Sequence, residues 1–300
     1  MRKEPLPTPV SQRIEKLSEA EEQAFELLAT EHGALAINMD KFAKIPRYAE
    51  RLVRDKASVE KKKAAIKREG TEPTKKARIL EALLAQQIEL SSWFGDKTYT
   101  LVPTEYDDLF HGIDLALEVH SDEEADEDEK ENVKYLALGI DVTSSPINIR
   151  NKLKRIKDHI VDGTLTMMEY FHSENHNPDF YGVMTNIPQV VIGTEAKTIK
   201  ELSELWMTAY GLPKLRQRSA GAPLSPEAEQ NQRKSVKKAK EVLGKHRVQT
   251  LLLEEIKIQL TAFREFALKA GQTAVADKFA SVLELIDTVL QEKGVPDRED

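Results

Sequence analysis

"HGIDLALEV", residues 111–119, and "LALGIDVTSS", residues 136–145, each set Gly-Ile-Asp inside an otherwise apolar run. Read as strands, their side chains alternate between two faces. In the first, Gly112, Asp114, Ala116 and Glu118 share a face, and His111, Ile113, Leu115, Leu117 and Val119 share the other. In the second, Ala137, Gly139, Asp141 and Thr143 lie opposite Leu136, Leu138, Ile140 and Val142. Each run therefore has one apolar face and one face of small residues with a carboxylate. Antiparallel pairing through the intervening segment brings Asp114 and Asp141 onto adjacent strands on one side of a sheet. Carboxylates at cross-strand distance repel unless a cation lies between them or one takes up a proton. A hard cation, Mg²⁺ or Mn²⁺, accepts such a pair and keeps its other positions for water and phosphate oxygens. Gly112, Ala137 and Gly139 are expected to leave room for a substrate. The competing reading makes each aspartate a turn or cap residue, Asp141 standing just before the N-cap candidate Ser145.

Outward from this pair the chain alternates in texture. "KTYTLVP" (97–103), 109–119 and 133–143 predict three strands. "PINIRNKLKRIKDHIVDG" predicts a helix from Pro146 to about residue 162, stopped by Gly163. "TLTMMEYF" fits strand or helix, and "IPQVVIG" (187–193) reads as a buried strand followed by a helix over 195–210. Upstream, three helices are predicted: one ending at Gly33, a charged one from about Pro46 to Glu69, and one over 73–94. The division expected is an N-terminal helical region (1–72), an α+β core (73–210), a Pro, Gly and Ser linker (211–227) and a C-terminal helical region (228–300) ending in a helical hairpin.

Composition narrows the chemistry. There is no cysteine, which excludes disulfides, thiolate metal sites and cysteine nucleophiles. The absence of a long apolar stretch and of a signal-like start predicts a cytoplasmic protein with no membrane span. The formal net charge of -7 is segregated: 121–132, "SDEEADEDEKEN", holds eight acids and one lysine, whereas 41–78 holds fourteen basic against five acidic residues and 233–247 seven against one. Basic stretches of this kind are solvated helix faces or phosphate grips, which makes DNA or RNA the expected partner. The acidic run is a loop kept in water by self-repulsion or, more specifically, a nucleic-acid mimic screening the site between the two strands.

The order helix (73–94), three strands, helix (146–162), strand (187–193), helix resembles the core of the PD-(D/E)XK nuclease superfamily over residues 73 to about 210. That resemblance implies a restriction-endonuclease-like αβββαβ core and Mg²⁺-dependent hydrolysis of phosphodiester bonds. Asp114 matches the family's second-strand aspartate, and Asp141-Val142-Thr143 falls where the acidic-x-Lys triplet stands. The resemblance also implies a glutamate from the first core helix, Glu89 before Glu81, and "EYDDLFHGID" is similar to members in which acids precede the strand aspartate. Thr143 occupies the lysine position, so Lys152, Lys154 or Lys157 on the next helix is the expected substitute. Members that have lost catalysis imply the alternative of a nucleic-acid-binding or assembly module. His172 and His176 have a spacing that suits a shared metal on a helix, but "FHSENHNPDFYG" reads as a loop. Trp93, Phe94 and Tyr99 are read as packing at a helix end rather than base-stacking platforms. No Gly-rich phosphate loop, GxSxG or HExxH motif is present.

Overall fold

The computed structural model describes residues 16–119, 136–143, 146–173, 177–218 and 225–294. Ser18 and Glu21 cap one another's backbone N–H groups and start α1 (Glu19–Leu35), which runs through Gly33 instead of ending there. A short 3-10 turn (Met39–Lys44) leads into α2 (Pro46–Glu69), closed by Gly70 at φ +65°. Helix α3 (Lys75–Ser91) follows, and then β1 (Thr98–Leu101).

The predicted strand 109–119 divides in two. Thr104 accepts the N–H of Asp107 and opens α4 (Glu105–His111), Gly112 at φ +66° closes it, and β2 is confined to Leu115–Val119. Strand β3 (Leu136–Thr143) and α5 (Pro146–Val161) follow as expected, with 133–135, Ser145 and the acidic run 121–132 outside the described residues. The ambiguous "TLTMMEYF" and the described residues of the segment read as a loop lie in strands, β4 (Thr166–Ser173) and β5 (Asn177–Ile187), paired as an antiparallel hairpin, with 174–176 outside the described residues. After β6 (Gln189–Gly193) come α6 (Ala196–Trp206), a π turn (Met207–Gly211), α7 (Leu212–Arg218), α8 (Pro226–Gly244), α9 (Val248–Lys269) and α10 (Thr273–Glu292). The stretch expected as a linker thus contains a helix, with 219–224 outside the described residues. No helix among the described residues is long and apolar enough to cross a membrane.

The architecture is mixed α+β. Strands β1, β2, β3 and β6 form one sheet in that order; β1–β2 and β2–β3 are antiparallel and β3–β6 is parallel. One face presents Leu115, Leu117, Leu138, Ile140 and Val142 to a core that also takes in residues of α1, α3, α6, α8, α9 and α10. The other face carries Ala116 and Ala137 against Met168, Phe171 and Ile187 of the hairpin. The room expected over the small residues is filled: a methyl at Gly139 would lie 3.5–3.6 Å from Ile113, Gln189 and Ile187. Both outer strands are closed by side chains. Glu89 accepts the Thr100 N–H at 2.6 Å on β1, and Gln259 of α9 accepts the Val191 N–H at 2.9 Å and donates to its carbonyl at 2.5 Å on β6.

Candidate functional site

Gly112 ends α4 because a left-handed residue is needed to send its Asp108 carbonyl to a capping N–H, at 2.9 Å, and turn the chain into the sheet. The Gly112 carbonyl is held from two sides, by Gln189 Nε2 and by Arg155 Nη2 at 3.4 Å. This turn delivers Asp114 to the end of β2, where its N–H bonds to Ile140 O at 2.9 Å. The ladder ends at the Leu115–Ile140 pair, and Asp114, just before β2, also bonds Ile140, one residue out of register. The period-two alternation breaks before β2: Ile113 packs with Ala116 and Ala137, and the Asp114 carboxyl group turns to the β3 backbone. Asp114 Oδ2 accepts the Val142 N–H at 2.5 Å, and its carboxyl group lies within hydrogen-bond reach of Asp108 and Asp141.

Asp141 is buried, with 3% of its surface exposed, and both its oxygens meet cations from α5. Lys152 Nζ bonds to Oδ1 and also to Val142 O at 3.0 Å; Arg155 Nη2 bonds to Oδ2 at 2.8 Å. Residues three apart on a helix share a face, which is why these two act together. Lys154, two positions from Lys152, is exposed on the opposite side and stays out of the site. Lys157 is exposed as well, its ammonium over the Phe266 ring. Thr143 is buried beside Gly193 in the parallel ladder, two residues beyond Asp141 on the same face, and supplies no charge.

The first core helix contributes Glu81, not Glu89. Glu89 is spent on Thr100, bonding its N–H and, at 2.8 Å, its hydroxyl. Eight residues earlier, about 12 Å along the helix axis, Glu81 bonds His32 Nε2 at 2.8 Å and raises the pKa values of Asp108 and Asp114. Desolvation pushes Asp114 well above the ordinary carboxylate range, and Asp141, Glu81 and Asp108 push it further. Asp141 is also raised, by burial, with Lys152 and Arg155 pulling the other way. Asp108 is solvent-exposed as a residue, yet protein atoms crowd water from its carboxyl group and, with Glu81 and Asp141, bring it up to about 6. Four carboxylates thus face two cations.

The sequence pattern did not reveal the helix that carries Asp108, nor the role of Arg155. The pattern T-x-x-D at Thr104 was the available sign of α4. Arg155 carried none, since a basic residue on an amphipathic helix reads as solvated. His172 is buried in the hairpin, stacked on Tyr181 at 4.0 Å, with Nδ1 3.2 Å from Phe180 O; His176 lies outside the described residues. Trp93 and Phe94 are fully buried core residues.

Among the described residues, no three His, Asp or Glu side chains are already arranged as a metal-ligand set. Mg²⁺ needs only one or two carboxylates and otherwise keeps water and phosphate oxygens. A pair of hard oxygen donors, both raised by burial and with Asp141 repelling Asp114, suits it. Compared with models of known protein families, with curated proteins and with solved structures, the chain matches none.

Proposed function

We propose that the chain is a Mg²⁺-dependent phosphodiesterase acting on DNA or RNA, with a PD-(D/E)XK-like core. The observation that carries this reading is the meeting of the Asp114 and Asp141 carboxyl groups where β2 begins beside β3, with the Lys152 ammonium on Asp141. The order α3, three antiparallel strands, α5, parallel strand supports it, with α4 inserted between β1 and β2 and the hairpin β4–β5 before the last strand. Asp114 and Asp141 would hold the metal. When bound, Mg²⁺ stabilises charge on the scissile phosphate and lowers the pKa of a bound water.

The protein's own groups do the rest. Lys152 takes the part of the lysine missing at Thr143: anchored on Val142 O and Asp141, it holds three donors beside the carboxylate pair. Asp108, with a pKa near 6, holds or releases a proton close to neutral pH. Helix α2 packs on α4, with Lys63 bonded to Glu105 at 2.9 Å, and its exposed Arg54, Lys61, Lys62, Lys67 and Arg68 extend a positive surface away from α4 for a phosphate backbone. The basic stretch 233–247 begins on α8, which packs on α6 and the π turn, and has no part in this reading.

The test is incubation with labelled single-stranded, duplex and branched DNA and with RNA, with and without Mg²⁺ or Mn²⁺, beside Asp141→Ala. Metal-dependent cutting that falls at least 100-fold in the variant, with folding intact by circular dichroism, is expected. A second reading, a noncatalytic nucleic-acid-binding module, is favoured by the two cations already neutralising Asp141. Tight, metal-independent binding without cutting would establish it in place of the first.

A further inference from the structure

Arg155 and Lys152 hold Asp141 in different ways. Lys152 is satisfied: it bonds the carboxylate and a backbone carbonyl. Arg155 is not. One nitrogen, Nη2, makes the contact to Asp141 and a long 3.4 Å approach to Gly112 O, while Nε is buried without a partner. An orphaned buried donor is destabilising and calls for a reason. The guanidinium lies directly on Gly112, in space that any Cβ would fill, so the turn is shaped around it. Its side chain is 39% exposed, against 24% for Lys152 and 4% for Asp141, so it has a path into solvent.

Two monovalent cations and a divalent ion gathered on one buried carboxylate repel one another, so the most exposed of the side chains is the one to yield. Resting on the phosphodiesterase reading above, we propose that Arg155 is an internal stand-in for the divalent cation. In the metal-free protein it neutralises Asp141; when the metal arrives it gives up Oδ2, and its forked donors turn to the anion that comes with the metal. Guanidinium suits this second task, because its planar fork matches two phosphate oxygens at once. Lys152, tied to Val142 O, stays in place. The metal affinity of the free protein is therefore set by competition with Arg155.

The full chain titrated with Mn²⁺, followed by water-proton relaxation and by calorimetry, tests this in wild type, Arg155→Gln and Asp141→Asn. Arg155→Gln is expected to bind Mn²⁺ roughly tenfold more tightly than wild type, the scale of removing one close competing charge. In the same variant, affinity of the Mn²⁺-loaded protein for dimethyl phosphate falls. Asp141→Asn loses the metal. Should Arg155→Gln not fold, wild type labelled with guanidino-¹⁵N arginine supplies the answer: the Arg155 Nε resonance shifts on Mg²⁺ addition. Binding of Mn²⁺ that is equal or weaker in Arg155→Gln, or an Arg155 resonance indifferent to Mg²⁺, overturns the stand-in role and leaves the phosphodiesterase reading intact. No Mn²⁺ binding by either protein overturns both.

Discussion

Adjacent residues of one short helix, Asp107 and Asp108, belong to two polar clusters of opposite character. Asp107 is fully buried and met by donors on every side: Thr104 Oγ1 at 2.8 Å, the Glu169 N–H at 2.6 Å and the Tyr170 N–H at 3.2 Å. Around it, Arg51 bonds Asp55 at 2.7 Å and Glu169 at 2.5 Å, Tyr170 bonds Asp55 at 2.9 Å, and Tyr48 bonds Glu169 O at 2.9 Å. Each acid here has its donor, and the network fastens α2 to the hairpin. Asp108 instead joins Glu81, Asp114 and Asp141, where burial and the charges of Glu81 and Asp141 push Asp108 and Asp114 upward. A satisfied network fixes a structure; a frustrated one is a place for a missing partner.

Breaking the satisfied cluster gives the largest expected stability effect. Arg51→Met strands Asp55 and Glu169, which are 5% and 6% exposed, and lowers stability by about 2–4 kcal/mol, a loss discounted because Arg51 itself is 33% exposed. Chemical denaturation measures it; a loss under 1 kcal/mol would make the network incidental.

Acidity sharpens the contrast. Asp107 is raised from 3.8 to about 6 by burial, with Glu169 adding repulsion. The folded state therefore binds its proton more tightly than the unfolded chain does. Stability from this group is full below about pH 4 and falls as pH climbs to about 6, by up to about 3 kcal/mol. Asp114, raised as well, carries the decline further upward in pH. Denaturation midpoints across pH 4–8 should fall with pH, and Asp107→Asn should flatten the lower half of the curve. A rise through that window would contradict the sign.

Next in size is a matched pair on α3. Glu81→Gln lowers metal-dependent cutting roughly tenfold, about 1.4 kcal/mol in the barrier, while leaving stability unchanged or raised. Glu89→Gln leaves cutting alone and loosens the β1 edge. Equal effects of both on rate would remove Glu81 from the site. The smallest effect is Tyr170→Phe, which removes one hydroxyl from Asp55 and costs about 1 kcal/mol without touching cleavage.

The antiparallel pairing of β2 with β3 is legible from the two apolar runs, whereas strict alternation over Gly112–Asp114 is not kept, because Gly112 caps α4 and Ile113 packs with Ala116 and Ala137. Helix α5 was legible from Pro146 and Gly163. The choice between Glu81 and Glu89 was not: the rotation of α3 about its axis depends on the sheet and on His32, both distant in sequence. Residues 109–112 read as strand because apolar residues on both sides hide a seven-residue helix, Glu105–His111, capped by Gly112. The hairpin was hidden by Asn, Ser and Pro, which suggest a loop although the flanking Tyr170 and Tyr181 both pack on Phe42.

The amide of Gln259 imitates one residue of a neighbouring strand, giving Val191 an acceptor and a donor in the places where a ladder would continue. At the far margin Glu89 offers only an acceptor, to Thr100. A foreign β-segment would have to evict these groups before it could dock. Concentrated solutions of the folded chain should accordingly resist fibre growth from this sheet, and self-association, where it occurs, is directed to helical surfaces.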